Sequence, residues 1–121
     1  MDKKILIVDD DPRNIFALKL TLKAKVFHVE TALSAKEAIN KLENENNIDV
    51  VLMDMMMPDI DGYQAIRMIK EINKFSHIPI IAVTAQAMEE DHQKCIDAGA
   101  TDYIKKPIDV DQLLKVIEKV S

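Results

Sequence analysis

Two periods alternate along the chain. Short apolar runs stand at Ile5–Val8, Val50–Met53 and Ile78–Val83, with weaker ones at Phe27–Thr31 and Asp102–Ile104. Stretches with helical spacing lie between them. Ala35, Ala38, Ile39 and Leu42 fall at i, i+3, i+4 and i+7 and so share one helix face. Ala65, Ile69 and Ile72 repeat at the same period, as do Met88, His92 and Cys95, and then Leu113, Ile117 and Val120.

Start and stop chemistry agrees with this division. Asp11-Pro12 supplies an N-cap followed by proline in the first turn. Ser34 with Glu37, and Asp109 with Gln112, have the spacing of capping boxes, in which two side chains satisfy each other's orphan N–H groups. Gly99 follows Ala98 where a helix would end, and glycine takes the left-handed conformation there without strain.

The order is therefore strand then helix, five times. The first and third strands read as continuous apolar runs, as strands buried on both faces should. Alternating elements with short connections predict a parallel sheet covered on both sides by helices. The expected architecture is a doubly wound α/β fold of the flavodoxin-like type. Five parallel strands and five helices would make a three-layer α/β/α sandwich, with the strand order 2-1-3-4-5 that this type has. No repeat or Gly/Ser/Pro-rich linker divides the chain, and its 121 residues fit one domain, 1–121.

Composition narrows the function classes. Sixteen basic against 21 acidic residues give a net charge of −5, the wrong sign for a surface that neutralises phosphates, so direct nucleic-acid binding is not expected. The single cysteine, Cys95, excludes an internal disulfide and a Cys-based zinc site. The apolar run at Ile5–Val8 stops at Asp9-Asp10-Asp11, too short for a secretory signal, and no run is long enough to span a membrane. The chain reads as cytoplasmic.

Open parallel sheets bind ligands at the carboxyl ends of their strands. The first predicted strand ends in Asp9 and Asp10, the third in Asp54, the fourth in Thr84 and the fifth in Lys105-Lys106. Carboxylates brought together repel by about 4 kcal/mol per pair at 4 Å and an effective dielectric near 20. Such a cluster takes up protons or holds a hard cation. Oxygen ligands with room for water suit Mg²⁺. A lysine and a hydroxyl nearby complete what a phosphoryl group on a carboxylate would require.

At this point the sequence resembles the receiver domains of two-component response regulators, the CheY-like superfamily. The carriers are Ile7-Val-Asp-Asp10, Leu52-Met-Asp-Met-Met-Met-Pro-Asp-Ile-Asp-Gly62, Val83-Thr-Ala85 and Asp102-Tyr-Ile-Lys-Lys-Pro107. The resemblance implies that Asp54 accepts a phosphoryl group from a phosphohistidine on a histidine kinase or histidine phosphotransfer protein. It implies Mg²⁺ held by Asp10, Asp54 and the backbone carbonyl of Met56, with Asp9 acting through a water. Lys106 would pair with phosphoryl oxygens, before a cis bond to Pro107. Thr84 would donate its hydroxyl, the small Ala85 would leave the site open, and Tyr103 would move inward. The readout would be a changed surface on the fourth helix, fifth strand and fifth helix. Met56 and Gln86 stand where the family's side chains influence hydrolysis of the acyl phosphate. Methionine cannot orient a water, so self-dephosphorylation is expected to be slower than in a Met56→Asn variant.

Plainer roles compete at several positions. Asp11 reads as a helix cap, Lys105 as a solvated neighbour of Lys106, and Cys95 as a small buried hydrophobe. The run Met53 and Met55–Met57 reads as packing, and His28, His77 and His92 as structural. Three rival functions are also open. A haloacid-dehalogenase-like phosphatase would use Asp9 and Asp11, but needs a later acidic pair where Lys105-Lys106-Pro107 stands. A flavodoxin-like FMN binder would place phosphate against three aspartates, which repel it. An adaptor of the same fold that never receives phosphate would have no need of the acid pair, acceptor, threonine and lysine together. The chain ends after the fifth helix, consistent with a single-domain regulator, a phosphorelay intermediate or a segment of a longer protein.

Overall fold

The computed structural model describes residues 3–25, 27–45, 47–57, 62–85 and 89–121. Five strands and five helices alternate: β1 (Lys4–Val8), α1 (Pro12–Ala24), β2 (His28–Ala32), α2 (Ala35–Asn44), β3 (Val50–Asp54), α3 (Gly62–Glu71), β4 (Ile80–Thr84), α4 (Glu89–Ala98), β5 (Asp102–Lys105) and α5 (Val110–Val120). The strands form one parallel sheet, as the alternation predicts, in the order β2-β1-β3-β4-β5 expected of the flavodoxin-like type.

Strand alternation divides the core into two layers. Leu6, Val8, Val51, Met53, Ile80 and Ala82 face α2, α3 and α4, whose buried residues include Ala38, Leu42, Ala65, Ile69, Cys95 and Ala98. Ile5, Ile7, Val50, Leu52, Ile81, Val83 and Ile104 face α1 and α5, packing with Ile15, Leu22, Leu113 and Ile117. All five residues of β3 and of β4 are buried, so the sheet's middle is covered on both sides. Cys95 is fully buried, as a small hydrophobe should be. Met88 of the predicted α4 stripe lies outside the described residues, as does Gln86.

The cap signals are realised. Asp11 caps α1 by accepting from the Arg13 N–H at 2.9 Å. Ser34 accepts from the Glu37 N–H at 3.1 Å. Asp109 accepts from the N–H groups of Asp111 and Gln112. For both predicted boxes, this N-cap half is the half seen among the described residues. Gly99 has φ +119° and closes α4 with two bonds, Gly99 N–H to Ile96 O and Ala100 N–H to Cys95 O, each 3.0 Å. That is the Schellman arrangement, which satisfies the last carbonyls of the helix.

Three boundaries fall inside the sequence expectation, each for a hydrogen-bonding reason. β2 starts at His28 because the Phe27 N–H is spent on Leu22 O at the end of α1. α3 ends at Glu71, and Ile72 leads into a single 3-10 turn, Asn73–Phe75. Ile78 closes that turn with a bond to Phe75 O, so β4 begins only after Pro79.

Candidate functional site at the carboxyl edge of the sheet

β1 and β3 are neighbours and end together, so the acids that follow them converge. One carboxylate oxygen from each of Asp9, Asp10 and Asp54 lies within 4.8 Å of the other two. Asp9 and Asp54 are buried, while Asp10 is exposed. Asp9 is fixed by its own N–H on Ala32 O at 3.1 Å, and its Oδ1 accepts from the Asp11 N–H at 2.9 Å. Three consecutive acids thus take three environments, with Asp11 the cap of α1 as expected.

Burial holds the Asp9 carboxyl above its ordinary value, the Asp11 N–H opposes this, and the neighbouring Asp54 carboxylate pushes it further up. Three carboxylates with one lysine beside them leave an excess of negative charge. The cluster's donors are hard oxygens, one of them open to water, which is the donor set a divalent magnesium ion accepts. The residues fit such an ion.

The opposing cation is Lys106, whose Nζ lies 3.2 Å from Asp54 Oδ1. The same oxygen accepts the Met56 N–H at 3.1 Å. Lys106 is placed by its N–H on Thr84 O at 2.8 Å, and its bond to Pro107 is cis, as the resemblance implied. Thr84, the last residue of β4, is buried to 1% exposure. Lys105, one residue earlier than Lys106, points to solvent.

The backbone after Asp54 is held close. The Met55 N–H reaches Val83 O at 3.0 Å. At Gly62, which opens α3, a Cβ would meet Met55 Cα at 2.5 Å and Asp54 O at 2.9 Å. Only glycine fits there without moving the loop that follows Asp54. A cleft of about 330 Å³ opens beside the cluster between α1 and residues 106–110. Asn14, Leu18, Thr21, Ile108 and Val110 line it together with Asp9, Asp54 and Lys106.

The structure thus gathers Asp9, Asp10, Asp54 and Lys106, and sets Thr84 on the same edge. Tyr103 lies farther down β5, stacked on His92. Met53, Met55 and Met57 are buried as packing residues, but Met56 is 56% exposed, so the packing reading of the sulfur run fails at that position. Gly62 was legible as part of a motif, not as a steric requirement. The cleft and the His92 contact carry no local sequence signal.

Comparison with known proteins agrees with this geometry. Residues 5–118 match the family described as "Response regulator receiver domain". The chain is 38% identical over 121 residues to hybrid signal transduction histidine kinase L of Dictyostelium discoideum, covering 96% of this chain but 7% of that protein. It is 37% identical over 109 residues to the signal transduction histidine-protein kinase BarA of Escherichia coli K12, covering 90% of this chain and 12% of that kinase. Among solved structures, the chemotaxis protein CheY4 of Vibrio cholerae superposes over 100% of both chains, with a TM-score of 0.92 and 28% identity. A five-stranded sheet whose carboxyl edge sets three acids against a lysine, in a chain matched by this family over nearly its whole length, belongs to the response regulator receiver domains, and its function is that of a phosphorelay phospho-acceptor.

Proposed function

We propose that Asp54 is the acceptor, and that residues 1–121 work as one receiver domain. The observation that carries this is the meeting at a buried strand end of Asp54, two further carboxylates and the Lys106 ammonium. A carboxylate oxygen of Asp54 forms the bond to phosphorus as the donor's P–N bond breaks. The electron pair leaves on the imidazole nitrogen, which takes a proton. The product is an acyl phosphate on Asp54 and a histidine restored on the kinase or histidine phosphotransfer protein.

Asp10, Asp54 and the Met56 carbonyl would hold a magnesium ion, with Asp9 acting through water. Bound there, the ion would supply charge neutralisation for the carboxylates and the phosphoryl oxygens. Lys106 supplies a fixed positive charge that the incoming phosphoryl group shares with Asp54, at a buried strand end. The donor approaches the cleft mouth, one wall of which is α1. Phe16 and Leu20 on that helix are 64% and 55% exposed, apolar surface one turn apart for a partner to cover.

Phosphorylation shifts an existing equilibrium by the contacts it makes differently in two arrangements. Thr84 is drawn to the new phosphoryl oxygens, Tyr103 turns into the space beside it, and the face formed by α4, β5 and α5 changes. The chain is modified stoichiometrically and returns by slow hydrolysis, so its chemistry serves a signal rather than turnover. A kinase partner that draws its phosphoryl group from ATP places this exchange in the cytoplasm.

Incubation with acetyl phosphate and Mg²⁺, read by intact mass, tests the reading. One phosphoryl group per chain is expected, and none in Asp54→Asn. A wild-type chain that stays unmodified, or a variant modified equally, contradicts it.

A further inference from the structure

His92 of α4 and Tyr103 of β5 lie face to face, with ring centroids 3.7 Å apart and planes inclined by 21°. Nε2 of His92 is buried and makes no hydrogen bond to any described residue. A buried polar atom without a partner is uncommon and calls for a reason. With no described residue bonded to that nitrogen, the ring contact is what is seen to hold the two side chains against each other.

In the phosphorylated arrangement proposed above, Tyr103 moves toward Thr84. Ala82, its register partner on β4, and Thr84, two residues further on, project from the face of the sheet that α4 covers. Ala82, directly opposite Tyr103, is a small residue. A tyrosine ring moving along β4 toward Thr84 has to leave His92. The overlap therefore belongs to one arrangement of the switch and is absent from the other.

We infer that His92 is a positioning residue for the switch: its stack on Tyr103 holds the unphosphorylated arrangement, and breaking that stack is part of what phosphorylation has to accomplish. This rests on the phospho-acceptor reading. An aromatic pair of this kind shifts a two-state equilibrium by about two- to tenfold. Two substitutions separate ring contact from imidazole chemistry. His92→Ala removes the contact. His92→Phe keeps it and replaces the unpartnered nitrogen by carbon.

The probe is beryllofluoride with Mg²⁺, which binds a carboxylate in the shape of a phosphoryl group, titrated by fluorine NMR. His92→Ala is expected to bind about two- to tenfold more tightly than wild type, because less has to be broken. His92→Phe is expected to bind no more tightly than wild type. In the wild-type protein, proton NMR contacts between the two rings should be present without the probe and lost at saturation. This last measurement carries the test even where His92→Ala fails to fold. Equal or weaker binding by a folded His92→Ala, tightening by His92→Phe, or ring contacts that persist at saturation overturns the inference. A wild-type protein that takes up no beryllofluoride overturns the phospho-acceptor reading itself, and this inference with it.

Discussion

β1 and β3 have interiors and ends of opposite character. From Ile5 to Val8 and from Val50 to Met53 every side chain is apolar and at most 2% exposed. One residue later, the same two strands deliver Asp9 and Asp54, still buried but charged. The interior gains stability from removing apolar surface from water, and the edge loses some by bringing like charges together. The site is therefore not self-supporting. The packed interior holds the three acids together against their own repulsion, and the edge remains poised to take a cation.

The contrast predicts opposite signs for substitutions in the packed interior and at the acidic edge. Interior truncation should be costliest: Ile81→Ala, at a fully buried position, is expected to lose about 2–5 kcal/mol in chemical denaturation. A loss below about 1 kcal/mol would show that the layer repacks freely. Next comes Gly62→Ala, whose added methyl meets the Met55 backbone. It should cost about 1–3 kcal/mol and slow phosphorylation of Asp54 by displacing its loop. Unchanged phosphorylation would detach this close approach from the site.

At the edge the sign reverses. Asp9→Asn should stabilise the metal-free protein by about 1 kcal/mol while weakening Mg²⁺ binding. The pH dependence follows from the raised Asp9 carboxyl. The folded chain binds that proton more tightly than the unfolded chain, so metal-free stability falls as pH rises from 3.8 through the raised folded value. Thermal melts of wild type and variant should diverge at neutral pH and converge as pH falls toward 3.8. A variant less stable than wild type at neutral pH would contradict the repulsion. Met56→Asn should have the smallest structural effect, since Met56 is exposed, yet speed decay of the acyl phosphate by giving water a partner. Equal decay rates in the two phosphoproteins would remove Met56 from the chemistry.

The same division explains how much could be read in advance. Burial on both faces leaves continuous apolar runs, so β1, β3 and β4 were legible, and their ends pointed to Asp9, Asp10, Asp54 and Thr84. Capping depends on one residue and its near neighbours, so Asp11, Ser34, Asp109 and Gly99 were legible too. What escaped depends on contacts between distant segments. The start of β4 is delayed by the turn at Asn73–Phe75, which has no apolar period to announce it. Ile72 packs against the core as its spacing implied, but from outside α3. His92 fell on the correct helix stripe, yet its partner Tyr103 comes from another strand, and only the packing of α4 on β5 brings the rings together.

The most direct measurement is thermal melting of the phosphate-free protein against Mg²⁺ concentration at neutral pH. If the three carboxylates form a cation site, the melting temperature of wild type should climb with added Mg²⁺, by an amount equivalent to about 1.4 kcal/mol at ten times the dissociation constant. Asp10→Asn should blunt that rise. A wild-type melting temperature indifferent to millimolar Mg²⁺ would contradict the account at its centre.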